Sequence, residues 1–381
     1  MKWQVPFFEL VLDQKEKHAV LSVLDSNWLT TGPKINEFET LFAEMIGDGK
    51  IHAVAVANCT AALHLALASL GIKAGDEVIC PSLTFVACAN AILYCNATPV
   101  FVDIVSADEW NMDPEDIENK ITEKTKAIMV VHYAGYPCRM NQILNIADKY
   151  NLKIVEDTSH GPLSELEGKT LGTIGDVGCF SFFSNKNITT GEGGMIVTHS
   201  HKIAENIKTM RSHGMTHTTY DRFKGHAFGY DVTMLGYNYR MDEIRASIGI
   251  EQLKKLAENN MKRKRLVEYY RTIIIRDHKL GVTIPFESWI GGRYSYHIFP
   301  ILLPEGYTDR NSIMTLMGER GIQTSIHYRP IHTFTAYHDV FAIVPMTDAI
   351  SQRILSLPLY PSLTMEQIEL VVESLKVCLQ S

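Results

Sequence analysis

Lys186 is the single cation in the stretch Phe180-Ser181-Phe182-Phe183-Ser184-Asn185-Lys186-Asn187-Ile188-Thr189-Thr190-Gly191-Glu192-Gly193-Gly194. An apolar strand runs into a polar loop there, and a glycine-rich turn leads into a second apolar run. A lysine enclosed in this way is partly desolvated. Desolvation disfavours the ammonium form and frees the amine as a nucleophile toward carbonyls; the plain alternative is a solvated surface lysine. Asp157 ends another apolar run, in Ile154-Val155-Glu156-Asp157-Thr158-Ser159-His160. Ligands of open α/β sheets bind at the carboxyl ends of strands. A carboxylate at that edge could pair with a protonated ring nitrogen, and His160 could bond an adjacent ring substituent. Asp157 equally suits the cap of the following turn. A third motif is Ala57-Asn58-Cys59-Thr60-Ala61-Ala62, where a strand ends and a helix begins. The free N–H groups of a helix start, with the Thr60 hydroxyl, suit a phosphate, although Thr60 also suits a simple N-cap.

Phosphate cradle, strand-end carboxylate and loop lysine are together the parts that a pyridoxal phosphate site needs. Other chemistries find no foothold. The sequence has no Walker P-loop, no GxGxxG after a strand, no HExxH and no GxSxG.

These residues need a scaffold, and the chain alternates accordingly. Apolar, β-branched runs at 52–57, 77–80, 99–103, 127–133, 153–157, 178–183 and 194–198 are separated by segments of helical period, such as 60–70 and 141–150. Short strands that are nearly all apolar, with helices between them, predict a mostly parallel sheet covered on both faces: an α/β fold. After Asn238 the texture changes. Residues 241–273 read as one or two long helices, 293–303 and 321–327 as strands, and 365–379 as an amphipathic helix with a Thr364/Gln367 capping box. The expected division is a large domain over 1–245 and a smaller α+β domain over 246–381.

Composition narrows the class. Hydrophobic residues make up 46% and charged residues 21%, as in an ordinary soluble enzyme. The net charge of -7 argues against nucleic acid as a partner. The N-terminus carries no basic segment followed by an apolar run, so no signal peptide is expected. No run reaches the ~18 apolar residues of a membrane span. Seven cysteines without a CxxC pair or a Cys/His cluster predict free thiols, no metal and a cytoplasmic location.

The chain as a whole resembles the DegT/DnrJ/EryC1/StrS family of sugar aminotransferases, which have the aspartate aminotransferase (type I) fold. The resemblance rests on Ser181 to Gly194 around Lys186, on Gly75-Asp76-Glu77-Val78 with Pro81-Ser82-Leu83-Thr84-Phe85, and on Glu156-Asp157-Thr158-Ser159-His160. It extends from Gly32-Pro33 to Leu355-Ser356-Leu357-Pro358-Leu359-Tyr360-Pro361. It implies that Lys186 holds pyridoxal 5'-phosphate covalently and later shuttles protons. Asp157 would face the ring nitrogen, His160 the ring oxygen and Phe85 the ring face. Thr60, the Ala61 N–H and Ser181 would bind the phosphate. Asn238, in Gly236-Tyr237-Asn238-Tyr239-Arg240-Met241, would reach the phosphate of a neighbouring subunit, making the active unit a homodimer.

The resemblance also implies transfer of an amino group from L-glutamate to a keto sugar, commonly nucleotide-linked. Candidates for contact with that sugar and its diphosphate are Thr31, Arg211, His327, Tyr328, Arg329 and His332. Two departures stand out: Asn58-Cys59-Thr60 where many relatives have Ser-Gly-Thr, and Gly161-Pro162-Leu163-Ser164 after His160. Relatives with His at the lysine position are sugar dehydratases, and this chain keeps Lys186. Dehydration on the same fold, or a non-catalytic sugar-nucleotide-binding role, are the competing expectations.

Overall fold

The computed structural model of the protein describes residues 3–47, 49–217, 220, 225, 229–277, 280–289, 292–307 and 309–380. The seven apolar runs form one sheet: β1 (His52–Val56), β2 (Glu77–Pro81), β3 (Thr98–Val102), β4 (Thr125–Val131), β5 (Lys153–Asp157), β6 (Val177–Ser181) and β7 (Gly194–Thr198). Their order is β1-β7-β6-β5-β4-β2-β3. Only β7 runs antiparallel, to both β1 and β6; the other pairings are parallel. The sheet therefore presents the carboxyl ends of β2, β4, β5 and β6 at one edge, next to the start of β7.

Alternation along each strand sorts its side chains to two faces. Val54 and Val56 pack with helices Cys59–Ser69, Ala87–Tyr94 and His201–Met210. Ala53 and Ala55 face the other way, onto helices Pro33–Ile46 and Glu243–Arg276. On that same side of the sheet's far half, Ile79, Ile128, Val130 and Ile154 pack on Met140–Tyr150. Coverage on both faces explains why the strands are apolar at nearly every position.

Helix Glu243–Arg276 is 34 residues long, roughly 50 Å at the usual rise. Its first residue closes another helix. The Glu243 carboxylate accepts the N–H groups of Lys34 (2.8 Å) and Ile35 (3.0 Å) at the start of Pro33–Ile46, supplying the cap that Gly32 lacks. Its early turns pack on Gln14–Asp25 and Pro33–Ile46, and it also packs on the C-terminal helix Met365–Gln380. The helix thus crosses residue 245 without a break and joins the sheet to the C-terminal layer.

That layer holds a two-stranded antiparallel sheet, β8 (Phe299–Leu302) with β9 (Ile354–Leu357). The strands expected over 293–303 and 321–327 are mostly not strands. Residues 295–297 spend their backbone on the loops of the large sheet instead: Ser295 N–H donates to Ser164 Oγ, and His297 N–H to the Ala134 carbonyl. Residues 321–327 contribute only the bridges Val5 to Ile322 and Ser325 to Ser356. Thr364 and Gln367 form both bonds of the expected capping box. All seven cysteines are free thiols. Among the described residues, no helix is long and apolar enough to cross a membrane.

Candidate active site

A cavity of about 620 Å³ opens at the carboxyl edge of the sheet. Its wall draws one residue from the end of each of three parallel strands: Val131 from β4, Asp157 from β5 and Ser181 from β6. The turn after β1 adds Asn58, Cys59, Thr60 and Ala61. That turn is held tight against the start of β7. A Cβ on Gly194 would lie 2.7 Å from the Asn58 carbonyl carbon and oxygen, so a side chain there would push the helix start out of place.

The helix Cys59–Ser69 begins at this cavity, and its first N–H groups lack intrahelical partners. Asn58, rather than Thr60, is its N-cap. Asn58 Oδ1 accepts the Ala61 N–H at 2.8 Å, so the Ala61 N–H already has a partner within the chain. Thr60 and Ser181 both line the cavity.

Lys186 lies in the same cavity. Burial pulls its amine down to about 8, against the opposing influence of Asp157 and Cys59. Nζ is 3.4 Å from Nε2 of His297. Among the described lining residues Lys186 is the one Lys or Arg, facing two carboxylates, Asp157 and Glu192. Asp157 is buried and its two oxygens are engaged: Oδ1 accepts the Ser159 N–H at 2.9 Å, and Oδ2 accepts the Cys88 thiol at 3.2 Å. The capping of its own turn and the siting at the cavity are therefore both present.

His160 is buried, and burial, then Lys186 and His327, keep its ring neutral by lowering it well below the usual range. Its Nδ1 accepts the Ala134 N–H at 3.2 Å. A neutral ring that accepts at Nδ1 carries its proton on Nε2, so His160 donates to the Tyr328 hydroxyl at 2.8 Å. The Tyr328 proton is then directed elsewhere. Phe85 lines the cavity 6.1 Å from the Tyr328 ring and is 56% exposed. His327 also lines the cavity; burial, then Lys186, lower it to about 3, and its Nδ1 lies 3.0 Å from Ser356 Oγ.

The expected sugar-contact residues divide. His327 and Tyr328 line the cavity, whereas Thr31, Arg211, Arg329 and His332 do not. Arg211 is corrected outright. It is buried, and its guanidinium bonds Glu39 Oε1 at 2.5 Å and the Ala55 carbonyl at 2.6 Å, so it ties β1 to the helix before it. Arg329 is bound to Thr333 and lies over Phe334. His332 is held between Ser82 Oγ (2.7 Å) and Asp348 Oδ1 (3.1 Å). The Thr31 carbonyl accepts the Trp28 indole N–H. Asn238 is exposed and lies outside this chain's own cavity, bridged to Ser212. Sequence reasoning missed His297, Cys88 and Asn185. His297 lies within residues 293–303, which read as an ordinary strand; only the structure brings it to Lys186.

Pyridoxal phosphate fits these residues. Its aldehyde would call for a buried amine of lowered basicity, as Lys186 is, its ring nitrogen for a buried carboxylate, as Asp157 is, and its phosphate for a helix start with hydroxyls, as Thr60 and Ser181 provide in the same wall. Asn185 lines the cavity and its Oδ1 is buried without a partner, leaving polar capacity for a bound molecule.

The chain matches the model of the DegT/DnrJ/EryC1/StrS aminotransferase family over residues 11–376. It is 37% identical to the GDP-perosamine synthase of Escherichia coli O157:H7 over 97% of each chain. PseC of Helicobacter pylori, an aminotransferase involved in the biosynthesis of pseudoaminic acid, superimposes with a TM-score of 0.90 at 31% identity over 99% of both chains. The PLP form of Spr1654 from Streptococcus pneumoniae superimposes with a TM-score of 0.89 at 28% identity, over 99% of this chain and 98% of that one. The chain belongs to the DegT/DnrJ/EryC1/StrS aminotransferase family, the pyridoxal phosphate-dependent sugar aminotransferases.

Proposed function

We propose that this enzyme moves the amino group of L-glutamate onto a nucleotide-linked keto sugar, working as a cytoplasmic homodimer with Lys186 as the reactive amine. The observation that carries this reading is the Lys186 amine, buried in the cavity and lowered to about 8, with the Asp157 carboxylate in the same wall. Near neutral pH such an amine is available both as a nucleophile and as a proton carrier.

The bound cofactor supplies an electron sink for the carbon that loses its proton. The rest falls to this chain's residues. Lys186 Nζ takes the proton from the donor's α-carbon and, in the return half, gives one to the sugar carbon being aminated. Asp157 holds the ring nitrogen in its protonated form. His160 donates to the Tyr328 hydroxyl and so leaves the Tyr328 proton free for another acceptor, such as the ring oxygen the cofactor would bring, and Phe85 would offer a flat face. Thr60, Ser181 and the open N–H groups of helix Cys59–Ser69 take the phosphate.

Lys186 is the one Lys or Arg among the described lining residues and is assigned to the aldehyde, so the phosphate would have hydroxyl and N–H donors from this chain but no side-chain cation. Asn238 supports the dimer on that ground: it is exposed, away from its own cavity, and near Val232 (55% exposed) and Leu235 (79% exposed), apolar side chains that a second copy would cover. The likeness to GDP-perosamine synthase supports a nucleotide-linked acceptor.

The test has two arms. Borohydride reduction of the cofactor-loaded protein should leave a pyridoxyl adduct on residue 186 by peptide mass analysis; an unmodified residue 186 ends the proposal. A panel of nucleotide-linked keto sugars with L-glutamate should then yield an aminated product and an equal amount of 2-oxoglutarate.

A further inference from the structure

His297 is buried and makes two side-chain hydrogen bonds, to Lys186 Nζ (3.4 Å) and to Asn187 Oδ1 (3.0 Å). The direction of these bonds is settled further out. Asn187 Nδ2 donates to the Ser295 carbonyl (2.6 Å) and to Asn260 Oδ1 (2.8 Å), and Asn260 Nδ2 donates to the Pro162 carbonyl (2.9 Å). Two backbone carbonyls can only accept. If Asn187 were flipped, its oxygen would face the Ser295 carbonyl; if Asn260 were flipped, its oxygen would face the Pro162 carbonyl. Both amides are therefore locked, and Asn187 Oδ1 must face the ring. His297 thus carries its proton on Nδ1 and presents the Nε2 lone pair to Lys186. Its backbone is pinned as well, by its N–H on the Ala134 carbonyl and by Arg263 on its own carbonyl.

We propose that His297 is a positioning residue for Lys186: its oriented Nε2 lone pair accepts one N–H of the lysine nitrogen and so fixes where the amine's own lone pair points. This rests on the reading of Lys186 as the reactive amine. A neutral amine has one lone pair and free rotation about Cε–Nζ. One N–H held by His297 removes most of that freedom, and the lone pair is left turned toward the cavity. Once Nζ has taken up a proton, the same acceptor holds one of its three N–H groups and stabilises the ammonium. The ring stays an acceptor because burial, followed by Lys186, His160, Arg263 and His327, holds it neutral. Asp157 and Cys59 are the other titratable groups acting on Lys186.

The test uses the full chain with His297→Asn and His297→Gln. Asn keeps the donor to Asn187 but cannot reach Lys186, whereas Gln places an acceptor oxygen near the position of Nε2. In cofactor-free protein, competitive acetylation of Lys186 across pH, followed by peptide mass analysis, should give a midpoint near 8 for the parent. The midpoint should fall by ~1 pH unit in His297→Asn and return in His297→Gln. With cofactor and donor, His297→Asn should lose roughly 10²-fold in kcat with little change in KM, and α-deuterated glutamate should slow it more than it slows the parent. If His297→Asn does not fold, Asn187→Ser, which frees the ring, is read in the same acetylation assay and should shift the midpoint down. Equal midpoints in parent and variants, or a Gln variant as impaired as the Asn variant, overturn the proposal. A parent protein that forms its borohydride adduct normally separates that failure from failure of the Lys186 assignment itself.

Discussion

The Cys88 thiol donates to Oδ2 of Asp157 across 3.2 Å, from the start of one helix to the end of a central strand. Burial, followed by the Asp157 charge, pushes the thiol well above its usual range, so it remains a donor. The carboxylate is therefore held in orientation from both sides, since Ser159 N–H takes the other oxygen. Removing the thiol in Cys88→Ala should weaken cofactor retention by about 1 kcal/mol, roughly fivefold in the dissociation constant, and Cys88→Ser should restore it. Asp157→Asn removes the charge as well and should lower turnover by roughly 10²–10³-fold. Equilibrium dialysis of the cofactor and steady-state kinetics read the two effects separately.

The amine of Lys186 sets a pH dependence with a definite sign. Only the neutral amine attacks a carbonyl, and burial lowers this group to about 8. The rate of covalent cofactor loading by the cofactor-free chain should rise about tenfold per pH unit below 8 and level off above it. Asp157 opposes the downward shift, so Asp157→Asn should move the midpoint to lower pH. Stopped-flow absorbance during loading measures both, and a midpoint left near the ordinary lysine value would contradict the burial argument.

Much of the fold was legible in the sequence, for a physical reason. Strands buried on both faces must be apolar throughout, so β1 to β7 announce themselves by composition. Lys186 and Asp157 stood out as charges beside apolar runs, and the structure puts both in the cavity wall, although Asp157 also caps its own turn. Strand β9 was not legible: Ile354–Leu357 is four residues long and precedes Pro358, and its partner strand is Phe299–Leu302, far back in the chain. His297 was hidden likewise, because its ring is set by Asn187, which Asn260 holds in turn, and all three lie in distant parts of the chain. Arg211 misled because a basic residue in a loop-like motif looks the same whether it binds an anion or closes an internal ion pair.

That ion pair can be tested directly. Arg211 and Glu39 are both buried, and Glu39 Oε1 also accepts the Ala55 N–H of β1. Arg211→Leu would strand a buried carboxylate, at a cost of about 3–5 kcal/mol in unfolding free energy. The double variant with Glu39→Gln should recover part of the loss. In protein that remains folded, KM for the sugar nucleotide should stay within about twofold, since a residue outside the cavity contributes no substrate contact. A large rise in KM without loss of stability would return Arg211 to the substrate site.

Glu156 is the neighbour of Asp157 and has no place in the cavity wall, yet the site depends on it. Its buried carboxylate accepts Gly172 N–H (2.8 Å) and His132 Nε2–H (2.9 Å) on one oxygen, and the N–H groups of Ile174 (2.7 Å) and Gly175 (2.6 Å) on the other. His132 must donate at Nε2, because its Nδ1 accepts the Cys138 N–H. The loop so held leads directly into β6, which ends at Ser181. Burial pushes the Glu156 carboxyl up, but the bonds from His132 and the backbone outweigh it, and the group lies below its ordinary 4.5. A carboxyl lowered in the folded state contributes stability above its unfolded value and loses it as pH falls through the folded one. Unfolding free energy should therefore decline on acidification below about pH 4.5. Glu156→Gln sets an amide NH₂ against N–H donors and should cost about 3 kcal/mol at neutral pH, while flattening the acid slope. Urea unfolding at several pH values gives both quantities. A Gln variant with the parent's acid slope would show that other carboxylates, and not this one, govern the acid limit.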